Sequence, residues 1–166
     1  MIAIYARVSD FKFKDAERTQ DVQRQVELLS DYVQKAFPLQ RIEKYVDDGE
    51  SAFTDDFNQR PSFKMLLHNC RRRWVSKVVI EDMTRLSRRI DLGLPVLREL
   101  GELGIHVISL KEGELEVTSA KGWMQSAMLL MFAEWDSRVK SEKIKSGMLK
   151  ARNLKKRIGR PRKGGV

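Results

Sequence analysis

The hydrophobic and polar positions of this chain change period several times, and each change marks an element. Residues 2–9, Ile-Ala-Ile-Tyr-Ala-Arg-Val-Ser, gather β-branched and apolar side chains and then give way to a polar run at Asp10, as a short buried strand does. On extended backbone Tyr5, Arg7 and Ser9 share one face, so such a strand carries a guanidinium and a hydroxyl towards its end. Asp10 to Thr19 reads as a loop. Val22, Val26, Leu29, Val33 and Ala36 then recur at steps of three and four, which predicts an amphipathic helix from about Ala16 to Ala36, ended by Pro38. Arg41 to Val46 reads as a second strand, and a turn-rich loop runs from Asp47 to Asn58. Pro61 suits the first turn of a helix with Phe63, Leu66 and Leu67 on one side.

Trp74 to Met83, built on Val78-Val79-Ile80, reads as a third strand, and Ile105 to Leu110 as a fourth. Between them lies a helix from about Asp91 to Leu103, stopped by Gly104. This alternation predicts an α/β fold with a mostly parallel sheet of four to five strands flanked by helices. Ser119 to Lys156 contains no proline, and Met124, Met128, Met131, Trp135 and Val139 recur at helical spacing, so one long helix of about 50 Å follows. A helix of that length cannot be covered by so small a domain. Its Met-rich stripe is read as a dimer seam at Met124, Met128, Met131 and Trp135. The expected organisation is an α/β domain at 1–118, the long helix at 119–156 and a basic flexible arm at 157–166.

Charge changes this picture more than overall composition does. With 166 residues, 42% of them hydrophobic and 33% charged, the chain has the make-up of a globular domain with a proper core. Its net charge of +9 is unevenly placed. Arg138 to Val166 holds twelve Lys or Arg against the single acid Glu142, so everything before it is slightly acidic. A near-neutral body with a cationic end implies a polyanion held through the C-terminal segment, and double-stranded DNA is the expected partner. The candidate contacts are Lys143, Lys150, Arg152, Lys155, Lys156, Arg157, Arg160, Arg162 and Lys163. Arg160-Pro161-Arg162 in extended form suits a narrow minor groove. No opening segment has the apolar length of a signal peptide, and the greasy stretch from Trp123 to Trp135 is too short to span a bilayer. A cytoplasmic, nucleoid-associated protein with no membrane partner is expected. Cys70 stands alone, and His68 and His106 are isolated, so no disulfide, metal site or cofactor is expected.

In a parallel sheet functional groups collect at the carboxyl ends of strands, where Ser9, Asp47 and Arg85 all fall. By themselves residues 2–9 read as an ordinary first strand. The difference is made by Arg7, Arg60, Arg85 and Arg88, which all stand in or beside strand-edge loops. Converging guanidinium groups around one hydroxyl suit in-line attack on a phosphodiester, whose transition state spreads negative charge over its non-bridging oxygens. Ser9 would be the covalent nucleophile. No histidine is placed as its base, so activation falls to the cationic field and a carboxylate such as Asp47.

The motifs Tyr5-Ala6-Arg7-Val8-Ser9, Gln25, Tyr45-Val46-Asp47 with Gly49 and Ser51, Arg60-Pro61, Arg85-Leu86-Ser87-Arg88, Ala133-Glu134 with Glu142, and Gly159-Arg160-Pro161 occur in fixed order. In that order and spacing the chain resembles the serine site-specific recombinases of the resolvase and DNA-invertase type, over nearly its whole length. The resemblance implies a serine hydroxyl that cuts DNA through a 5′-phosphoserine link and rejoins it without metal or ATP, in a homodimer assembling to a tetramer. It implies Ser9 as nucleophile, Arg7, Arg85 and Arg88 on the scissile phosphate, and Arg60 behind the phosphate or leaving group. Tyr5, Gln25 and Asp47 would support them, with Glu142 on the long helix near DNA and the dimer interface.

The chain also departs from that pattern. Thr84 stands before Arg85 where the family has aspartate, with Asp82 two positions earlier; Lys143 replaces an arginine after Glu142; and Phe11 to Arg18 lengthens the loop after the serine. Where the family continues after the basic arm into a helix-turn-helix, none is expected within this sequence. An architectural DNA-binding dimer of the same fold is the alternative reading. A metal-dependent nuclease built on Asp47, Asp48, Glu81 and Asp82 is a third, which leaves the arginines without a role.

Overall fold

The computed structural model describes residues 1–7, 15–47 and 57–153. Along the chain these form β1 (Ile2–Arg7), α1 (Asp15–Ala36), β2 (Ile42–Asp47), a 3-10 turn (Phe57–Gln59), α2 (Pro61–Arg71), β3 (Lys77–Ile80), α3 (Met83–Leu86), α4 (Ile90–Glu102), β4 (His106–Ser109), β5 (Gly113–Leu115) and α5 (Ala120–Asn153). The expected α/β class and the mostly parallel sheet are both present. The sheet has the order β2-β1-β3-β4-β5, with β5 alone antiparallel. The third strand is shorter than the apolar run around it, because Asp82 caps a new helical turn and takes Met83 into α3.

Every residue of β1 is buried, since the strand is covered on both faces. Ile2, Ile4 and Ala6 point to one face with Val79 and Ile108, where Leu29 and Val33 of α1 pack on them. Ala3 and Tyr5 point to the other with Val78, Ile80 and Val107, beneath Phe63, Leu66 and Cys70 of α2 and Leu97 and Leu100 of α4. Burial raises the Cys70 thiol to about 12, so it is a small core residue. The chain leaves β1 for β2 on one side and returns to β3 on the other. This reversal opens a crevice beyond the carboxyl ends of β1 and β3, the place where open α/β sheets bind ligands.

The structure divides into two units, Met1–Glu134 and the part of the chain from Trp135 onward. Within the first, α5 buries Gly122, Ser126, Leu130 and Ala133. Gly122 permits close approach, because a Cβ there would meet the Glu116 carbonyl oxygen at 2.6 Å. Ser126 donates to that same carbonyl at 3.1 Å. The Met stripe lies elsewhere on the helix: Met124, Met128 and Met131 are 59%, 48% and 58% exposed, as are Phe132 and, in the second unit, Trp135 at 60% and 63%.

Candidate active site at the carboxyl edge of the sheet

Two strand ends and one short helix build the cationic edge. Arg7, the last residue of β1, donates from Nη2 to the Thr84 carbonyl at 2.8 Å, and Arg85 donates from Nη1 back to the Arg7 carbonyl at 3.0 Å. The two arginines thus clasp the end of β1 to α3. Arg88 lies in the bend between α3 and α4 and is half-buried. The structure therefore brings Arg7 and Arg85 together at the switch point of the sheet, with Arg88 three residues further along the same segment. Ser9, two residues past Arg7, lies outside the described residues, as do Lys155, Lys156, Arg157, Arg160, Arg162 and Lys163.

Arg60 takes a different position. It is 4% exposed, with its guanidinium carbon 4.1 Å from the Phe63 ring centroid, 4.9 Å from that of Phe57 and 5.2 Å from that of Tyr5. Its nitrogens donate to the Tyr5 hydroxyl at 3.0 Å, the Leu86 carbonyl at 2.7 Å and the Arg85 carbonyl at 3.1 Å. A guanidinium on aromatic faces with its donors in use is a fixed strut, and it fixes the backbone that carries Arg85.

Asp47 completes that pocket. Its carboxylate accepts from the backbone N–H groups of Ser62 at 2.8 Å and Phe63 at 2.9 Å, and from the Tyr5 hydroxyl at 2.9 Å. Those amides belong to the first turn of α2, where Arg60, at the cap position, supplies no side-chain cap. Asp47 caps the helix from a neighbouring strand instead. Burial, outweighing Arg60, pushes the Tyr5 hydroxyl far above its ordinary value, so it remains a proton donor to Asp47. Gln25, fully buried on α1, donates to Asp21 at 3.0 Å, and its carbonyl oxygen has no partner among the described residues.

Around Arg85 the chemistry is ionic. Glu81 accepts from Arg85 Nη2 at 3.1 Å and from Arg24 of α1 at 3.0 Å. Asp82 lies 3.9 Å from Arg85 Nε, a buried N–H with no hydrogen bond among the described residues. Asp82 instead caps α3, accepting from the Thr84 N–H at 2.9 Å and from the Thr84 hydroxyl, and its second oxygen accepts from Lys111 Nζ at 2.8 Å. Burial works against the Asp82 charge, but Lys111, Thr84 and Arg85 outweigh it and hold the carboxyl below its ordinary value. Thr84, in the usual aspartate's place, therefore reaches Asp82 directly.

Two more carboxylates anchor the edge: Glu112, which the sequence does not single out, and Glu134, which stands in the Ala133-Glu134 motif without a role there. Glu112 accepts from the Met83 N–H at 3.2 Å and from the Ser109 hydroxyl. Glu134 accepts from the Ile90 N–H at 2.8 Å, pinning α4 just after Arg88. Only the D-x-T pattern of Asp82 and Thr84 carries a local sign, that of an N-cap. The three described carboxylates of the nuclease reading, Asp47, Glu81 and Asp82, are each committed to amides or cations, which is a poor arrangement for ligating a metal. On α5, Glu142, Lys143, Lys150 and Arg152 are all exposed.

A mostly parallel sheet with a clasped pair of arginines at its switch point presents a cationic edge to whatever binds there. Residues 2–157 match the family described as Resolvase, N terminal domain, and the chain belongs to this family of serine recombinases. It is 29% identical to serine recombinase PinR of Escherichia coli K12 over 161 residues, 96% of this chain and 74% of the relative. To the Tn2501 transposon resolvase of Escherichia coli it is 26% identical over 157 residues, 95% of this chain and 74% of that protein. Among solved structures, the N-terminal catalytic domain of TP901-1 integrase superposes with a TM-score of 0.60 at 25% identity, covering 84% of this chain and 98% of that one. A resolvase-family recombinase from Streptococcus pneumoniae shares the fold, with a TM-score of 0.57 at 18% identity over 91% of this chain and 97% of that one. Family membership makes the chain a recombination enzyme that acts on DNA. Among the described residues no helix is long and apolar enough to cross a membrane.

Proposed function

We propose that this chain cuts and rejoins DNA through a 5′-phosphoserine at Ser9, without metal or ATP. The observation that carries the reading is the reciprocal clasp of Arg7 and Arg85 at the switch point, two residues before Ser9. Arg7, Arg85 and Arg88 hold the scissile phosphate, and their charge offsets the negative charge that grows on its non-bridging oxygens. The Ser9 oxygen bonds to phosphorus as the bond to the 3′ oxygen breaks; the serine proton is given up and the 3′ oxygen leaves as a hydroxyl. Rejoining reverses this, with a 3′-hydroxyl attacking the phosphoserine. One phosphate ester replaces another, so ATP is not required. Arg60, Tyr5 and Asp47 position the edge.

The exposed Met124, Met128, Met131 and Trp135 face is the seam of a homodimer that assembles to a tetramer for strand exchange. Lys143, Lys150 and Arg152, continued by the basic residues to Lys163, supply the DNA backbone contacts. Removing Asn153 to Val166 should flatten the salt dependence of DNA binding, and an unchanged slope contradicts that assignment.

The test is incubation with supercoiled DNA in chelator, followed by denaturing electrophoresis, with Ser9→Ala beside the wild type. A protein-linked 5′ end in the wild type alone supports the mechanism. Cleavage that needs magnesium, or an adduct that persists in Ser9→Ala, contradicts it. DNA binding without any adduct favours an architectural dimer.

A further inference from the structure

Arg85 lies between two carboxylates, and each is shared with a second cation at the surface. Glu81 gives one oxygen to Arg85 and the other to Arg24, whose side chain is half exposed. Asp82 gives one oxygen to Thr84 and the other to Lys111, whose side chain is 60% exposed although its carboxylate partner is buried. Lys111 belongs to the turn between β4 and β5, which also ties its backbone N–H groups to the end of β3: Leu110 donates to the Ile80 carbonyl at 3.0 Å and Lys111 to the Glu81 carbonyl at 3.2 Å. The turn is thus fixed against the segment it serves.

The distances define a competition for Asp82. Its Oδ2 atom is 2.8 Å from Lys111 Nζ and 3.9 Å from Arg85 Nε, and the Arg85 N–H has no hydrogen bond among the described residues. A buried N–H without a partner is costly, so Arg85 draws any carboxylate within reach. If Oδ2 closed that gap, Arg85 would bond both neighbouring carboxylates, its charge would be further offset, and the Asp82 carboxylate would be pulled from the position in which Oδ1 caps α3. That cap holds Thr84, whose carbonyl orients Arg7. We propose that Lys111 is a positioning residue for strand cleavage: its ammonium holds Asp82 in the capping position and so keeps Arg85 available to the scissile phosphate.

This inference rests on the proposed function for its activity test, and a second readout needs no DNA. Lys111→Met should lower the single-turnover rate of adduct formation about ten- to a hundredfold, as a misplaced phosphate-binding group does, while DNA affinity changes less than twofold. Lys111→Arg should restore the rate. Adding Asp82→Asn to Lys111→Met should also restore most of it, because asparagine still caps a helix but no longer pulls on Arg85. A lysine that merely touched DNA, or merely stabilised the fold, would not be rescued this way.

In the DNA-free protein, the Arg85 Nε–H signal in a ¹⁵N NMR spectrum should shift and gain protection from exchange in Lys111→Met, and return in the double variant. An unchanged Arg85 signal and rate in Lys111→Met overturns the inference, as does a double variant no better than the single. A wild type that shows the expected Arg85 behaviour but forms no adduct contradicts the serine mechanism instead.

Discussion

Arg60 and Arg85 are the same residue type at the same edge of the sheet, yet their surroundings are opposites. Arg60 is sealed among Phe57, Phe63 and Tyr5, with donors on the Tyr5 hydroxyl and on the Arg85 and Leu86 carbonyls. Arg85 sits among Glu81 and Asp82, retains a buried N–H without a hydrogen bond among the described residues, and is partly open to solvent. The first arginine acts as structure, its cation resting on aromatic faces and on carbonyl and hydroxyl acceptors. The second keeps a charge that its neighbours only partly offset. If Arg85 binds the scissile phosphate as proposed, one arginine motif mixes a strut with a phosphate ligand, and burial on aromatic faces is what tells them apart.

Variants can break this contrast. Arg60→Ala should have the largest effect, because it empties a packed site and leaves two carbonyls and a tyrosine hydroxyl without their donor. A loss of roughly 3 kcal/mol or more is expected in urea unfolding. Arg85→Ala should lose less than half as much stability yet abolish adduct formation under single-turnover conditions. If Arg85→Ala unfolded the protein as readily as Arg60→Ala, the contrast would collapse. Asp47→Ala comes next. It removes a helix cap and leaves the Ser62 and Phe63 amides unpaired, and should cost about 2 kcal/mol with a fall in cleavage rate that follows the loss of folded protein.

The smallest effect is on pH dependence. The Asp82 carboxyl is held below its ordinary value in the folded chain, so its contribution to stability is fully present above the unfolded value, about 4, and is lost as pH falls through the folded one. Acid unfolding followed by circular dichroism should thus be less steep below about pH 4 in Asp82→Asn than in the wild type. Equal slopes would mean that Asp82 is not held as its contacts indicate.

The elements that set up the edge were legible because their signals are local. The β-branched run of β1, the amphipathic period of α1 and Pro61 at the start of α2 each lie within one segment, and the structure places β1 at Ile2–Arg7, α1 at Asp15–Ala36 and α2 at Pro61–Arg71. The division of labour among the arginines was not legible, since Arg60 bonds to residues 25, 26 and 55 positions away. Lys111 and Glu112 were missed for the same reason, each meeting its partner 29 positions off. β5 is three residues long and contains one buried side chain, too little to show a period. On α5 the Met stripe was plain, but the face that actually packs on the domain includes Gly122, Ser126 and Ala133, which carry little hydrophobic signal.

The most direct measurement is on the DNA-linked protein itself. The covalent complex is trapped in chelator, digested with nuclease and protease, and its nucleotide-bearing peptide is identified by mass spectrometry. We expect a single modified peptide with a nucleotide 5′-phosphate on Ser9, and none from Ser9→Ala. A nucleotide on any other residue, or cut DNA with no nucleotide on the protein, would contradict the serine mechanism.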